Sequence, residues 1–447
     1  MQRENWATKL GFMLAAMGSA VGLGNIWRFS YVAGENGGGA FLMIYLVSVL
    51  MIGIPLLLTE VSIGRKAQSD VIGSYQTLAP RKPWFLGGFL GLFGAFLILG
   101  FYSVVAGWGL YYLWNYLTGK LAVEPSVGYG ATFEMFITST YQPLFWHALF
   151  MFITIFIVLS GVKKGIEFAN KIFMPVLATL LILLAVYSLT LEGAMEGVRF
   201  LFQPDWSVLS NPSVYIAALG QAFFSLSLGV GTMMTYGSYL SKDHRLPGAT
   251  VGIGIMDTLF AIISGIVIFP AVFAFGIQPD SGPVLVFITL TDIFSQMPLG
   301  GLIGIIFFLA LTLASISSSI SLLEVPVAFF MRAMNWSRKA ASIITGIVIF
   351  VLGIGASLGM GVLSDVTLIG DNNIMDSMDY LASNIFLPIG GLVMALFIGW
   401  HFTKEEALAA TDLTGSKLGT VWFWIVRLIA PVMIIIIFLN ALEILPF

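Results

Sequence analysis

The stretch AAMGSAVGLGN, from Ala15 to Asn25, decides the fold because it interrupts an apolar segment long enough to cross a bilayer. That segment is predicted to run over residues 10–34, so three glycines and one asparagine lie near its middle. Glycine weakens a helix, since it has the most backbone freedom to lose on folding. The pattern predicts a membrane helix that is broken at mid-depth.

A second interruption of the same kind lies in the predicted span over residues 212–239, which reads FSLSLGVG from Phe224 to Gly231. Close helix packing is the alternative explanation for glycine in a membrane span. The two broken spans, however, are the first of one group of five spans and the first of the next. An odd number of spans per group turns the second copy upside down, which predicts an inverted repeat whose two breaks meet at the midplane.

The composition indicates that the solvent is lipid. The chain has 447 residues, of which 58% are hydrophobic and 10% charged, and its mean hydropathy is +0.96. We predict an all-α membrane protein of about 11 transmembrane helices in a single domain, residues 1–447. Repeat one covers residues 10–191, repeat two residues 212–402, and an additional helix residues 419–443. The predicted spans are residues 10–34, 39–63, 85–118, 144–162, 165–191, 212–239, 249–276, 298–331, 337–357, 380–402 and 419–443.

Charged residues predict the orientation of the chain. With a cytoplasmic N-terminus, the Lys and Arg residues of the connections lie inside, except Lys120 and Arg199. The C-terminus is then outside, and we expect a multi-pass protein of the bacterial inner membrane. The absence of cysteine excludes disulfides and thiolate sites. Three dispersed histidines, His147, His244 and His401, argue against a histidine metal site, and a net charge of −3 gives no indication of nucleic-acid binding.

Ionisable residues inside the spans are few and therefore informative. Arg28 and Asp257 favour a functional role, whereas a structural and a transport role are equally supported for Glu60 and Glu324. The eighth span also carries a hydroxyl cluster between Ala314 and Ser321. Serine hydroxyls often bond only the preceding turn of their own helix. They are also hard oxygen donors, which a small alkali cation needs when it sheds water. A stretch over residues 279–297 is too broken to span and is predicted to lie as a lid over the outer face.

Several motifs together resemble the neurotransmitter:sodium symporter family, in particular its bacterial hydrophobic amino-acid transporters. They read VGLGNIWRF from Val21, ENGGGAF from Glu35 and GQAFFSLS from Gly220. The resemblance implies a leucine-transporter-like fold, which is a 5+5 inverted repeat with discontinuous helices 1 and 6. It also implies two Na⁺ sites. The first uses the substrate carboxylate with Ala20, Asn25, Ser225 and Asp257; the second uses Gly18, Val21, Ala314, Ser317 and Ser318.

The same resemblance implies a substrate pocket and two gates. The pocket comprises Ala20, Gly22, Leu23, Gly24, Ile98, Tyr102, Phe224, Ser225, Ser227, Val230, Ser318 and Leu322. Arg28 and Asp379 form the outer gate with Phe224 as its lid, and Glu60 supports the helix break. The inner gate uses Arg3, Trp6 and Tyr239. Arg332 stands where the family often has an aspartate, which leaves the partner of Arg3 open, and Asp257 stands where most relatives have Asn.

The expected function is sodium-coupled symport of hydrophobic or neutral L-amino acids, such as leucine, isoleucine, valine or an aromatic one, into the cell by alternating access. We expect no chloride requirement, and proton antiport stays open. The expected partners are the amino acid and the lipid bilayer, with a monomer or weak dimer as the assembly. A proton-coupled transporter of the same fold is the alternative. An enzyme using Ser225 or Ser318 is disfavoured, because we predict no His or Lys base within a span. A channel is disfavoured because no repeated pore helix is found.

Overall fold

The computed structural model describes residues 4–121, 125–277, 285–442 and 444. Within these ranges, nine helices are long and apolar enough to cross a membrane, and a bent pair adds a tenth. The bent pair is span one, Lys9–Ala20 and Gly24–Glu35, with an angle of 49° at its break. Span six consists of Pro212–Ser225 and Thr232–Ser238. Spans two to five are Gly39–Ala67, Phe85–Leu117, Gln142–Leu159 and Val162–Leu189, and spans seven to eleven are Pro247–Ala274, Gly300–Ala333, Arg338–Leu358, Ile374–His401 and Lys417–Ala441.

Shorter elements connect the spans. The α-helices are Val71–Leu78, Gly128–Thr138, Ala194–Phe202, Thr289–Gln296 and Lys404–Ala410, with a 3₁₀ helix at Trp206–Ser210. Two short antiparallel strands, Thr367–Ile369 and Asn372–Asn373, precede span ten. The helix Thr289–Gln296 belongs to the stretch predicted as an outer lid, whose residues 279–284 lie outside the described ranges.

The prediction that span ten begins at residue 380 is wrong, since its helix begins at Ile374. The Asn373 side chain caps this helix by accepting a hydrogen bond of 3.0 Å from the Asp376 N–H. A polar first turn hid the true start from a search for apolar residues. Asp379 therefore lies inside the helix and not at its start.

Both predicted breaks are present. In span one, the helix ends at Ala20 and resumes at Gly24 in a wide π-helical turn. In span six, Gly229 and Gly231 have φ values of +84° and +86°, which favour glycine and interrupt the helix. The second half of span six then starts at Thr232.

Glu60 of span two bonds the break in span six. Its carboxylate accepts hydrogen bonds from the N–H groups of Gly229, at 3.1 Å, and Met234, at 3.4 Å. A negative group at a helix N-terminus compensates unpaired backbone donors. These contacts favour the structural role for Glu60 over the transport role.

The spans exchange partners between the two predicted repeats. Span one packs on span seven as well as on spans five and eight, while the second half of span six packs on span two. Span three lies along span eight. This reciprocal packing brings both breaks to the centre of the bundle. The bounds of the repeats stay a prediction.

An ion pair on the predicted cytoplasmic side joins three connections. Arg65, at the end of span two, donates to both carboxylate oxygens of Asp412 at 2.7 and 2.9 Å, and to the carbonyls of Ala410 and His244. Asp412 also accepts a bond of 3.0 Å from the Leu246 N–H. Partial burial acts to raise the pKa of Asp412, but the hydrogen bonds from Arg65 and Leu246 outweigh it and lower the pKa.

Candidate functional site

A buried polar cluster lies between the break in span one and span seven. The Asn25 amide Nδ2 donates to Ser225 Oγ at 3.0 Å, to the Asp257 carbonyl at 3.0 Å and to Asp257 Oδ1 at 2.7 Å. Ser225 Oγ donates to Asp257 Oδ2 at 2.7 Å, and the Tyr45 hydroxyl lies 3.5 Å from both groups. Three side chains predicted for the first Na⁺ site are thus in direct contact.

The orientation of the Asn25 amide bears on cation binding. The Asn25 Oδ1 atom accepts a bond of 3.1 Å from the Gly22 N–H, so it points away from Ser225 and Asp257. A cation takes the oxygen of an amide and not its NH₂ group. The Asn25 amide therefore has to turn over before its oxygen can join Ser225 and Asp257 around a Na⁺ ion.

A second set of oxygens lies between the break in span one and span eight. Ser317 Oγ lies 2.8 Å from the Ala314 carbonyl and 3.5 Å from the Val21 carbonyl. Ser318 Oγ lies 3.2 Å from the Gly18 carbonyl and 3.3 Å from the Val21 carbonyl. All five groups predicted for the second Na⁺ site converge, and each of them is uncharged.

Between these two sets lies a narrow cavity of about 30 Å³. Eleven of the twelve residues predicted for the substrate pocket line it; Ser225 does not, because it faces Asn25 and Asp257. Leu387 of span ten and Ser19 line it as well and were not predicted. Within this lining, the Leu23 N–H points to the Tyr102 hydroxyl, with 3.4 Å between N and O. Five lining side chains are apolar: Ile98, Phe224, Val230, Leu322 and Leu387.

The backbone at this cavity leaves no room for larger residues. A Cβ atom at Gly22 would lie 2.9 Å from the Tyr102 hydroxyl and would overlap with Ser318 Oγ. A Cβ atom at Gly24 would lie 3.1 Å from the Phe224 ring. Glycine at both positions lets side chains of spans three, six and eight approach the break in span one.

Phe224 and Leu387 line both this cavity and a second one of about 400 Å³. The Arg28 guanidinium lies 4.6 Å from the centre of the Phe224 ring and donates to Gln221 Oε1 at 3.2 Å. Asp379 instead accepts a bond of 2.8 Å from Ser383. The described side chains of Arg28 and Asp379 form no ion pair within 4 Å, so the predicted outer-gate pair is not in direct contact.

The opposite side of the cavity is closed by a larger network. Trp6 Nε1 donates to the Tyr236 carbonyl at 2.9 Å, and the Tyr239 hydroxyl donates to Glu324 Oε1 at 2.5 Å. Arg338 of span nine binds both Glu324 oxygens, at 2.7 and 2.8 Å, and pairs with Glu4 at 2.8 Å. Trp6 and Tyr239, which were predicted for the inner gate, both belong to this network, and their gating role stays a prediction. Arg3 lies outside the described residues.

Sequence reasoning missed several members of these networks. Arg332 stands where the family often has an aspartate, so the partner of Arg3 could not be predicted. In the structure, Arg332 pairs with Asp70. Glu324 was flagged as an ionisable residue in a span, but Arg338 was counted only as a connection charge. The expectation that no span holds a His or Lys base is wrong. His147 and Lys171 lie within spans, but they contact Ser103 and Glu167 and neither Ser225 nor Ser318.

The model of the sodium:neurotransmitter symporter family matches residues 3–129 and 137–446. The chain belongs to this family. It is similar to the crystal structure of MhsT in complex with L-phenylalanine, with 59% identity, a TM-score of 0.93 and coverage of 98% of this chain and 100% of that one. It is also 44% identical to the uncharacterized sodium-dependent transporter YhdH of Bacillus subtilis over 446 residues, 99% of this chain and 98% of that protein. An uncharacterized sodium-dependent transporter of Methanocaldococcus jannaschii is 33% identical over 463 residues, 100% of this chain and 92% of that protein.

Membership confirms the resemblance and the leucine-transporter-like fold that the resemblance implies. The chain is a sodium-dependent symporter and a multi-pass membrane protein. Its family is one of transporters and not of enzymes.

Proposed function

We propose that the chain carries hydrophobic L-amino acids into the cell together with two Na⁺ ions and without chloride. The observation that carries this proposal is the narrow cavity between the two oxygen clusters. Its lining combines a polar pair, the Leu23 N–H and the Tyr102 hydroxyl, with apolar side chains such as Phe224 and Leu322. An amino acid with an apolar side chain combines the same two kinds of group. The similar MhsT structure, which is in complex with L-phenylalanine, supports the same substrate class.

The polar pair of Leu23 and Tyr102 suits a carboxylate and not an amine alone. The Leu23 N–H lies at the start of the second half of span one, where the helix dipole favours a negative group. The Tyr102 hydroxyl accepts from this N–H in the structure and has a proton of its own to donate to a carboxylate. Gly22 leaves no acidic side chain to bind the amine of a decarboxylated substrate. Tryptophan is therefore expected to compete for the site and tryptamine is not.

The two ion sites differ in charge. The second site offers only neutral oxygens, whereas Asp257 gives the first site a carboxylate. Two Na⁺ ions and a zwitterion bring net positive charge into a site of low dielectric constant, which is costly unless a negative charge lies nearby. Asp257 meets this need without a chloride ion. The same carboxylate is able to take up a proton once Na⁺ has left, which couples uptake to proton exit.

The decisive experiment is uptake of radiolabelled L-leucine, L-phenylalanine, L-alanine and L-lysine into proteoliposomes. Sodium gluconate, sodium chloride and choline chloride are compared at constant pH. We expect uptake of leucine and phenylalanine in both sodium buffers and none in choline. Equal uptake of lysine, or a requirement for chloride, contradicts the proposal. Uptake in choline driven by a pH gradient supports instead the proton-coupled alternative.

The charge distribution supports a bacterial inner-membrane location with a cytoplasmic N-terminus and an outer C-terminus. The inner gate is then the side of Trp6 and Tyr239, and the 400 Å³ cavity beside Arg28 opens outward. Labelling of single cysteines is a direct test, because the chain contains no native cysteine. A cysteine at Lys120 is expected to react with an impermeant reagent in intact cells, and one at Lys163 is not.

A further inference from the structure

The contact between spans one and five holds two buried oxygen groups. Gly11 and Gly18 of span one are seven residues apart, which is about two turns, so they lie on one face of the helix. A Cβ atom at Gly18 would overlap with Asn170 Oδ1, and one at Gly11 with the Glu167 carboxylate. Each glycine thus makes room for a polar group of span five.

Of these two groups, only Asn170 has an oxygen without a hydrogen-bond donor among the described residues. Its Nδ2 atom donates to the Ile166 carbonyl at 2.9 Å, which fixes the amide and turns Oδ1 toward Gly18. The side chain is fully buried, with a relative exposure of 0%. Buried acceptors in proteins nearly always have a partner, so this oxygen points to a ligand.

The Glu167 carboxylate, by contrast, is already occupied. It accepts bonds from the Ala7 N–H at 2.7 Å, the Thr8 hydroxyl at 3.0 Å and the Lys171 ammonium at 2.7 Å. These bonds tie span five to the N-terminus of span one. Asn170 is therefore the group in this contact that is free to bind something else.

Asn170 Oδ1 lies directly beside the second oxygen cluster but not within it. The Cβ position of Gly18, which Oδ1 overlaps, is also 3.1 Å from Ser317 Cβ. In a helix, Cα–Cβ bonds tilt toward the N-terminus, whereas carbonyl oxygens point toward the C-terminus. Oδ1 is consequently displaced from the Gly18 carbonyl toward the predicted cytoplasmic end of span one.

We propose that Asn170 Oδ1 is a transient Na⁺ ligand on the cytoplasmic side of the second site. The ion exchanges the carbonyls of Gly18 and Val21 for this oxygen as it leaves, so it does not lose all its ligands in one step. A neutral amide suits this role, because it coordinates a cation without the attraction that would trap it. This inference rests on the proposed second Na⁺ site.

The test separates ion release from ion binding in purified full-length protein reconstituted in liposomes. Asn170→Leu keeps the number and branching of side-chain heavy atoms and removes the oxygen. We expect net Na⁺-driven uptake of L-phenylalanine to fall at least fivefold, because each net cycle requires Na⁺ release. The Na⁺ concentration that gives half-maximal binding of L-phenylalanine is expected to stay within twofold of wild type. Exchange of L-phenylalanine with saturating Na⁺ on both sides is also expected to stay within twofold.

Asn115→Leu is the matched control. Asn115 is a second buried asparagine whose Nδ2 atom bonds the carbonyl one turn earlier, that of Tyr111 at 2.7 Å, but it lies far along span three. It is expected to leave all three measurements unchanged. If Asn170→Leu does not fold, as judged by binding at saturating Na⁺, the smaller Asn170→Val replaces it.

Three outcomes overturn the proposal. Unchanged net uptake means that Asn170 is not on the release path. If Asn170→Leu raises the Na⁺ concentration for half-maximal binding as much as Ser317→Ala does, Asn170 is a permanent ligand of the second site. An equal fall in exchange and net uptake makes its role structural. If wild-type binding needed no Na⁺, or if Ser317→Ala bound Na⁺ normally, the proposed second site itself would be wrong, which is a separate failure.

Discussion

Replacing the Asp257 carboxylate by an amide tests the charge argument most directly. Asp257→Asn keeps the size of the side chain and an oxygen for Ser225, whose hydroxyl now donates to Oδ2 at 2.7 Å. It removes the one negative charge among the residues predicted for the first Na⁺ site. We expect the variant to fold and to bind Na⁺ much more weakly in the absence of chloride.

The magnitude follows from the geometry of the cluster. Asn25 and Ser225 are both in hydrogen-bond contact with the carboxylate, so a cation among these groups lies within about 4 Å of the charge. At that distance and an effective dielectric constant of about 20, the attraction is about 4 kcal/mol. If desolvation offsets half of it, about 2 kcal/mol remains, which corresponds to a roughly 30-fold rise in the Na⁺ concentration for half-maximal binding.

The assay is binding of radiolabelled L-phenylalanine against Na⁺ in gluconate and in chloride, at constant ionic strength. Asp365→Asn, which removes an exposed acidic charge, is the control. Adding Ala261→Ser, one helical turn after Asp257, places a hydroxyl beside the new amide, and the two groups together offer donors to an anion. The double variant should then regain Na⁺ affinity in chloride only. A shift of less than threefold for Asp257→Asn in gluconate would refute the charge argument.

Three further predictions concern the second ion site, the pocket and the inner face. Ser317→Ala and Ser318→Ala should each raise the Na⁺ concentration for half-maximal binding. Ser319→Ala should not, since the Ser319 hydroxyl bonds the Ile316 carbonyl and Thr154. Equal effects of all three variants would mean that the hydroxyl cluster serves helix packing. Leucine should displace labelled phenylalanine at least tenfold better than alanine, because each buried methylene contributes about 0.8 kcal/mol; equal displacement would contradict an apolar pocket. Asp412→Asn should lower the unfolding temperature by a few degrees. The pKa of Asp412 is lowered from its usual 3.8, so its pair with Arg65 stabilises the protein above that pH and is lost only as the pH falls through the lowered pKa. Thermal unfolding should therefore show a constant deficit between pH 5 and 8, and a deficit that vanished at pH 6 would contradict this assignment.

Local sequence was sufficient to predict the two breaks. Glycines in an apolar span, at Gly22 and Gly24 and again at Gly229 and Gly231, have few explanations other than a bend or a close approach. Glu60 was singled out as an ionisable residue in a span, but the sequence left its structural and transport roles equally supported. Its contacts with Gly229 and Met234, which favour the structural role, required the structure.

Long-range pairs could not be predicted in the same way. Arg338 looked like a connection charge because it begins a span, yet it reaches Glu324 in the preceding span. Arg332 pairs with Asp70, which is 262 residues away in sequence. The free oxygen of Asn170 gave no signal either, since an asparagine in a helix usually bonds the preceding turn, as its Nδ2 atom does here. Such contacts depend on which helices become neighbours, and sequence periodicity does not encode that.

The two sides of the cavity are closed to different degrees, and this difference constrains the transport cycle. Toward the cavity beside Arg28, Phe224 and Leu387 line both cavities, and Arg28 and Asp379 are not in direct contact. Toward the predicted cytoplasmic side, Glu324 is fully buried and Arg338 nearly so, with side-chain exposures of 0% and 10%. Separating a buried ion pair leaves an uncompensated charge and costs several kcal/mol. Opening inward therefore needs a large compensating change, which Na⁺ and amino-acid binding at the breaks in spans one and six are placed to supply. On the side of Arg28 and Asp379 this ion pair does not have to be separated, so we expect the protein without its cargo to favour opening on that side.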